Sequence, residues 1–545
     1  MMFLIALNCL ASESIQLEIA HSNDDQWLVS YSLPRSVKQV YFQREGKIDR
    51  KKWQFTHSNF EIINDSENRQ LVHSIDGEPF NQFSLKVPTD FTKPLDDYAL
   101  NVGYDDGGVL LYTGHLYIGL NQLDLLAHEV VLIPNQDEQV IFNGQLNEHL
   151  YQFEDVELAG NYIYFGRSKL IESENMRIIL DEELPQWIQE KVQQTLPKLF
   201  DFYTHEFQLP LDLKPNVFFS YKLSNDLGTW YSGGVLPGQI QLSISGNGWL
   251  QKTPENLKKL LHFFSHEAAH LWNYQSINFD SKDYSSWIHE GSAEAFALNT
   301  LLKLEIITKA EWQLAHETNL NNCIQTIDNL RIPNIKGTNQ YELNYTCGAA
   351  ITLLIDKALN QANQKKDLFN LWAELLKALK QKEIKLSDTY YISGVLKLSK
   401  NQKFTNELQA LLSAFFPDTD EKFKKLFSDL DSPLTSINYH TNQSQNNLNQ
   451  VIAHLMTLDC GTYSFQQFDQ YYGVGSHLKC KSLTPDMKIY SIVGMSIKNQ
   501  GNKIHEVVSE LCANSKEVKI NSLLGRELTV TCTKPLPASD PWLKF

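Results

Sequence analysis

The chain has 545 residues, 42% hydrophobic and 21% charged, which is ordinary globular composition in a length that exceeds one compact core. Its 64 acidic against 48 basic residues leave a formal charge of -16, with no basic run. That balance argues against nucleic acid or an anionic membrane as a partner.

Met1 to Ala11 hold a short apolar run at 3–7, with Cys9 and Ala11 in the small-residue positions of a cleavage site. Residues 1–11 are read as a signal peptide, which places the mature protein in the periplasm or outside the cell. No other stretch approaches the ~20 apolar residues that a membrane-spanning helix requires.

Residues 12–178 read as all-β. Ile15-Gln-Leu-Glu-Ile, Trp27-Leu-Val-Ser-Tyr and Gln139-Val-Ile-Phe alternate apolar with polar residues, and Asp105-Asp106-Gly107-Gly108 marks a turn. Short strands at this spacing predict a β-sandwich-like domain.

From 179 to 430 the pattern is α+β. A helical period from Leu184 is followed by two apolar strands, at Val217 and Ile240, which flank a loop from Trp230 to Gly238. Mostly helical periods follow. Thr253-Pro254-Glu255 supplies an N-cap, a first-turn proline and an acid at the positive end of a helix that contains His266-Glu267-Ala-Ala-His270. Residues 431–450, rich in Ser, Thr, Asn and Gln, read as a linker, and 451–545 return to short strands around one helix.

The His-Glu-x-x-His pentad carries the chemistry. Histidines four apart project from one helix face, as two ligands of a tetrahedral zinc require, and Glu267 is placed to reach a water rather than the metal. Downstream, Trp287-Ile-His289-Glu290-Gly291-Ser-Ala-Glu294 opens a second helix with two carboxylates four apart, and Glu290 lies 20 positions after His270. His262 and His289 read as bystanders or hydrogen-bond partners, and on a regular helix His289 points about 100° away from Glu290.

The pentad, the Trp-x-x-Glu-Gly-x-x-Glu frame and their spacing resemble the gluzincin metallopeptidases, above all the aminopeptidase N-like and glycyl-aminopeptidase-like families. The resemblance implies a thermolysin-like zincin domain with a helical C-terminal part. It implies one zinc ion held by His266, His270 and Glu290, with Glu267 as general base and Glu294 hydrogen-bonded to a ligand histidine. Asn344-Tyr345-Thr-Cys-Gly348 matches the family's Tyr-x-x-Gly frame and implies Tyr345 as oxyanion donor, with Tyr341 the alternate. His270-Leu-Trp-Asn273 is similar to the glycyl-aminopeptidase side.

Two departures matter. Nineteen residues separate His270 from Glu290, where the aminopeptidase N-like pattern has eighteen. The Gly-x-Met-Glu-Asn motif, whose glutamate holds a substrate's free amine, is replaced by Gly233-Gly234-Val-Leu-Pro-Gly, without an acid. Gly233 and Gly234 could still pair with an extended substrate backbone, which leaves aminopeptidase against endopeptidase open.

Lys488-Ile-Tyr-Ser-Ile-Val-Gly494, a helix and two further strands resemble a PDZ domain, which implies a peptide chain end as ligand. A disulfide-braced β-rich domain is the other reading. Cys460, Cys480, Cys512 and Cys532 suggest disulfides in an oxidising compartment, with three pairings open. The expected function is zinc-dependent hydrolysis of a peptide or protein substrate. The alternative is a catalytically silent zincin-fold scaffold that acts through its end module.

Overall fold

A computed structural model describes residues 13–545, except 23–25, 45–47, 92–96, 122–125, 143–144, 148–149, 157, 224–227, 281, 327–330, 336–340, 364–365, 383, 415–417, 438–440, 464, 468–469, 476–477, 486, 499 and 537–541. The expected signal peptide, 1–11, lies outside the described residues. The chain forms two compact units, residues 1–201 with 211–252 and residues 202–210 with 253–545.

The first unit begins β-rich. Ile15–Ser22 pairs antiparallel with Gln26–Val37 and parallel with His128–Ile133 in a six-stranded sheet. Its alternation puts Ile15, Leu17 and Ile19 fully inside, packed with Trp27, Val29, Leu85 and Val130 in one core with strands of the neighbouring sheets.

The same unit holds a five-stranded mixed sheet, in the order Ile171–Glu172, Arg177–Leu180, Asn216–Lys222, Gln239–Ser245 and Trp230–Leu236. Helix α1 (Gln186–Phe207) connects two of its parallel strands. The sequence expectation put a domain boundary at 178/179, yet this sheet belongs to the β-rich unit. Gln239 brackets the backbone of Tyr162, accepting from its N–H and donating to its carbonyl at 2.9 Å each. A core of Tyr104, Tyr112, Tyr162 and Tyr164 closes on Ile179, Phe218 and Leu236. Polar patterning shows neither link, because both depend on tertiary pairing.

The second unit is mainly helical: α2 (Pro254–Asn273), α3 (Trp287–Lys303), α4 (Lys309–Thr326), α5 (Leu343–Ala362), α6 (Leu368–Lys382), α7 (Asp388–Ser399), α8 (Gln402–Leu412) and α9 (Asp418–Asp429). Thr253 caps α2 as expected, its hydroxyl oxygen accepting from Asn256 N–H at 3.1 Å, with Pro254 in the first turn. Two hydrogen bonds hold α2 from behind. Tyr203 donates to the Ser265 carbonyl at 2.8 Å and the Trp272 indole donates to the Leu209 carbonyl at 2.7 Å. Phe207, Phe296 and Phe369 pack around these rings.

Helices α3 and α5 cross backbone to backbone. A Cβ built on Gly291 would lie 2.2 Å from the Gly348 carbonyl carbon, and one on Gly348 would lie 2.7 Å from the Gly291 Cα. Only two glycines permit that approach. A disulfide between Cys323 of α4 and Cys347 of α5 lies beside the crossing.

The stretch 431–450, read as a linker from its polar composition, instead carries the strand Thr435–Ile437 and the first half of α10 (Thr441–Cys460). Leu448, Val451, Ile452, Leu455 and Met456 recur at helical spacing and are buried. They pack with α11 (Gly501–Ala513) and a sheet in the order Phe465–Gln467, Tyr472–Val474, Lys488–Ile492, Glu517–Ser522 and Glu527–Thr531. The abundance of Asn and Gln between 442 and 450 hides the helix from a reading by composition. Among the three pairings open for the four C-terminal cysteines, the structure forms Cys460–Cys480 and Cys512–Cys532. With Cys323–Cys347 these bridges fit an oxidising compartment. No helix among the described residues is long and apolar enough to cross a membrane.

Gly348→Ala should destabilise the protein by about 2–3 kcal/mol, because the added methyl meets backbone that cannot rotate away. Denaturant unfolding checks it, and an unchanged midpoint would contradict the crossing.

Candidate metal centre

The pentad lies on the buried face of α2 near its C-terminus, and Glu290 in the first turn of α3. The Nε2 atoms of His266 and His270 stand 3.2 Å apart. Glu290 Oε2 lies 3.5 Å from the first and 3.2 Å from the second. Ligand atoms of a tetrahedral zinc, bound at ~2.0–2.1 Å, are separated by about 3.3–3.4 Å, so this triangle has the size of one face of such a tetrahedron. All three side chains are buried, and Glu290 Oε2 has no hydrogen-bond partner among the described residues. Converging acceptors in a buried site need a cation, and this donor set suits zinc.

The site is anionic. Burial works against a charged His266, yet Glu290 and Glu294, with Glu267 close by, raise its pKa to about 10 in the absence of a metal. Glu290 and Glu294 are held well below the carboxylate range, against burial, chiefly by His270 and His262 respectively.

Each ligand has a partner behind it. His266 Nδ1 lies 3.3 Å from Glu294 Oε2, and Glu294 Oε1 lies 3.1 Å from His262 Nε2. His270 Nδ1 lies 3.0 Å from Asn273 Oδ1. Glu290 Oε1 accepts a hydrogen bond from the Tyr341 hydroxyl at 3.0 Å, which leaves Oε2 facing the two Nε2 atoms. His262 is therefore a hydrogen-bond partner, as expected. His289 does not point away as a regular helix suggested, because Nε2 lies 3.4 Å from Glu290 Oε1. Stacking on Tyr274 and a 2.7 Å bond between Nδ1 and the Tyr284 hydroxyl turn the ring back over the first turn of α3.

Tyr345 comes from α5, positioned by the Gly291–Gly348 crossing. Its ring stacks on His266, centroids 5.5 Å apart at 30°. Burial, then Glu290, raises the phenol well above its ordinary pKa, so it stays protonated at neutral pH and can donate. Glu267 follows His266 and is half-buried. Gly233 and Gly234 lie on Trp230–Leu236, an edge strand in the first unit. The structure thus brings His266, His270, Glu290, Glu294 and Tyr345 together. Sequence reasoning missed Asn273 as a partner of His270 and gave Tyr341 only as a substitute for Tyr345. The one signal for Asn273 was its position three residues after His270.

An aminopeptidase N family protein from Idiomarina loihiensis aligns over 97% of this chain and 98% of its own, with a TM-score of 0.62 at 14% identity. This chain has an aminopeptidase N-like fold. Leukotriene A4 hydrolase from Saccharomyces cerevisiae covers 82% of this chain and 72% of its own at TM-score 0.45 and 10% identity. An M1 zinc metallopeptidase from Deinococcus radiodurans covers 76% and 93% at TM-score 0.42 and 10% identity. No protein-family model and no curated protein matches the sequence.

The purified protein should bind one zinc ion per chain. Glu290→Gln should weaken that binding by more than about 100-fold, beyond the loss expected from removing an outer partner. Competition against a fluorescent chelator measures it, and near-native affinity in Glu290→Gln would remove Glu290 from the ligand set.

Proposed function

We propose that the chain is a zinc metallopeptidase that hydrolyses peptide bonds in peptides or proteins. The observation that carries this reading is the triangle of His266 Nε2, His270 Nε2 and Glu290 Oε2 at tetrahedral edge lengths. Glu267 follows the first ligand and Tyr345 stacks over it. Bound zinc supplies Lewis acidity, which polarises a carbonyl and acidifies water.

The chain's own groups supply the rest. Glu267 takes a proton from the attacking water and passes it to the leaving nitrogen, so the amine departs neutral. The Tyr345 phenol donates a hydrogen bond to the carbonyl oxygen as negative charge develops there. Tyr345, stacked on His266 within the Tyr-x-x-Gly frame, is the phenol that we assign to this role, with Tyr341 the alternate. Glu294 and Asn273 hold the imidazoles.

Substrate recognition follows a coarser argument. The strand Trp230–Leu236 is last in its sheet, so one side of its backbone suits strand addition by an extended peptide. That is the role we assign to Gly233 and Gly234. With no acid in this stretch to anchor a free amine, internal cleavage is as compatible with these residues as trimming. For 451–545 we keep the PDZ-like reading and a chain-end ligand, since strand, turn, α11 and hairpin follow in the expected order.

Glu267→Gln should lower kcat by about 10³-fold or more while zinc content stays at one per chain, and Tyr345→Phe should lower kcat by about 10²-fold with KM little changed. A peptide-library digest with and without chelator reads both. Undiminished cleavage by Glu267→Gln would sink the mechanism. Absence of cleavage by the zinc-loaded native protein would favour the silent scaffold.

A further inference from the structure

One histidine of the triangle has a partner that is not a carboxylate, and the hydrogen bonds around that partner fix its orientation. Asn273, fully buried at the last residue of α2, lies with Oδ1 3.0 Å from His270 Nδ1. A side-chain amide can present either its oxygen or its nitrogen. Here the other end decides, because Asn273 Nδ2 lies 2.8 Å from the main-chain carbonyl oxygen of His289, which can only accept. The nitrogen must face His289, so the oxygen must face His270.

The consequence is chemical. Oδ1 carries no proton, so the proton of this bond belongs to His270 Nδ1, and of the two neutral tautomers only this one leaves a lone pair on Nε2. Nε2 is the atom that faces His266 Nε2 and Glu290 Oε2. Between the two neutral tautomers the amide therefore favours the one that a metal at Nε2 requires. Its second bond ties α2 to the residue next to Glu290, so one side chain sets two ligands relative to each other.

The helix ends to make this possible. Tyr274 leaves helical geometry at φ -132°, and the N–H groups of Tyr274 and Gln275 both return to the His270 carbonyl. Asn is a weak helix former in such a position, so propensity does not account for it.

We propose that Asn273 is the positioning residue of the metal centre: it holds His270 as the Nδ1–H tautomer and, through the His289 carbonyl, registers it against Glu290. The inference rests on the zinc reading above, and the two can fail separately.

The test measures zinc affinity of the full chain by chelator competition, beside the unfolding temperature of the metal-free form, for native protein, Asn273→Ala and Asn273→Asp. Asn273→Ala should bind zinc ~10–100-fold more weakly, as loss of an outer partner generally does. Asn273→Asp keeps an acceptor for Nδ1 but offers no N–H to the His289 carbonyl. It should recover most of the affinity while its metal-free form melts no higher than that of Asn273→Ala. A packing role alone would leave the Asp variant binding as weakly as the Ala variant. Affinity within twofold of native for Asn273→Ala, or no recovery in Asn273→Asp, overturns the proposal. Should either variant fail to fold, native zinc-loaded protein labelled with [15N]histidine decides: a proton one bond from His270 Nδ1 supports it, and one on Nε2 overturns it. If the native protein binds no zinc, the functional reading fails instead.

Discussion

Three helices must meet closely enough for two imidazoles, a carboxylate and a phenol to share one small volume, and the packing of α2, α3 and α5 serves that constraint. Helix α2 supplies two imidazoles from one face, but Glu290 and Tyr345 come from α3 and α5. Those helices reach the site because Gly291 and Gly348 let their backbones touch. The glycines inside the Glu-Gly and Tyr-x-x-Gly frames are thus part of the metal geometry, although neither bears a functional group. Fixing the helices also lowers the reorganisation that binding would otherwise require, because Glu294, Asn273 and Tyr341 already hold the ligand side chains.

Burying this much charge is costly unless it is matched. Isolated carboxylates in an apolar setting would protonate, yet Glu290 and Glu294 are held in the opposite direction by the histidines around them. In the metal-free form the His266 imidazole, its pKa raised by Glu290 and Glu294, takes the part of the cation. Each of His266, His270 and Glu290 pairs an atom that faces the centre of the triangle with a second atom bonded to the protein. That division is clearest in Glu290, where Tyr341 occupies one oxygen and the other, with no hydrogen-bond partner among the described residues, faces the two Nε2 atoms.

Much of this was legible in the sequence for a physical reason. Helical spacing is local, so His266, His270 and the capped start of α2 follow from residues within a few turns. Glu290 and Tyr345 came through motif resemblance, because a frame of fixed spacing carries tertiary information that periodicity lacks. What stayed hidden depends on three-dimensional encounter. Cys323–Cys347 joins helices whose proximity no pattern reveals. The ring of His289 is turned by a stack on Tyr274 and Tyr284, not by its helix position. The polar composition of 431–450 reads as a linker, which hides the first half of α10, although Leu448, Val451, Ile452, Leu455 and Met456 mark the buried stripe. The domain boundary near 178 was likewise drawn where the pattern changes, whereas Gln239 and the tyrosine core bind the mixed sheet to the β-rich strands.

The central claim is that one zinc ion sits on the triangle of His266, His270 and Glu290. Anomalous diffraction at the zinc absorption edge, from crystals grown with zinc, tests it without reference to activity. The account expects a single strong peak ~2.0–2.2 Å from His266 Nε2, His270 Nε2 and a Glu290 carboxylate oxygen. A peak held by other residues, or none at this position with zinc in excess, would contradict it.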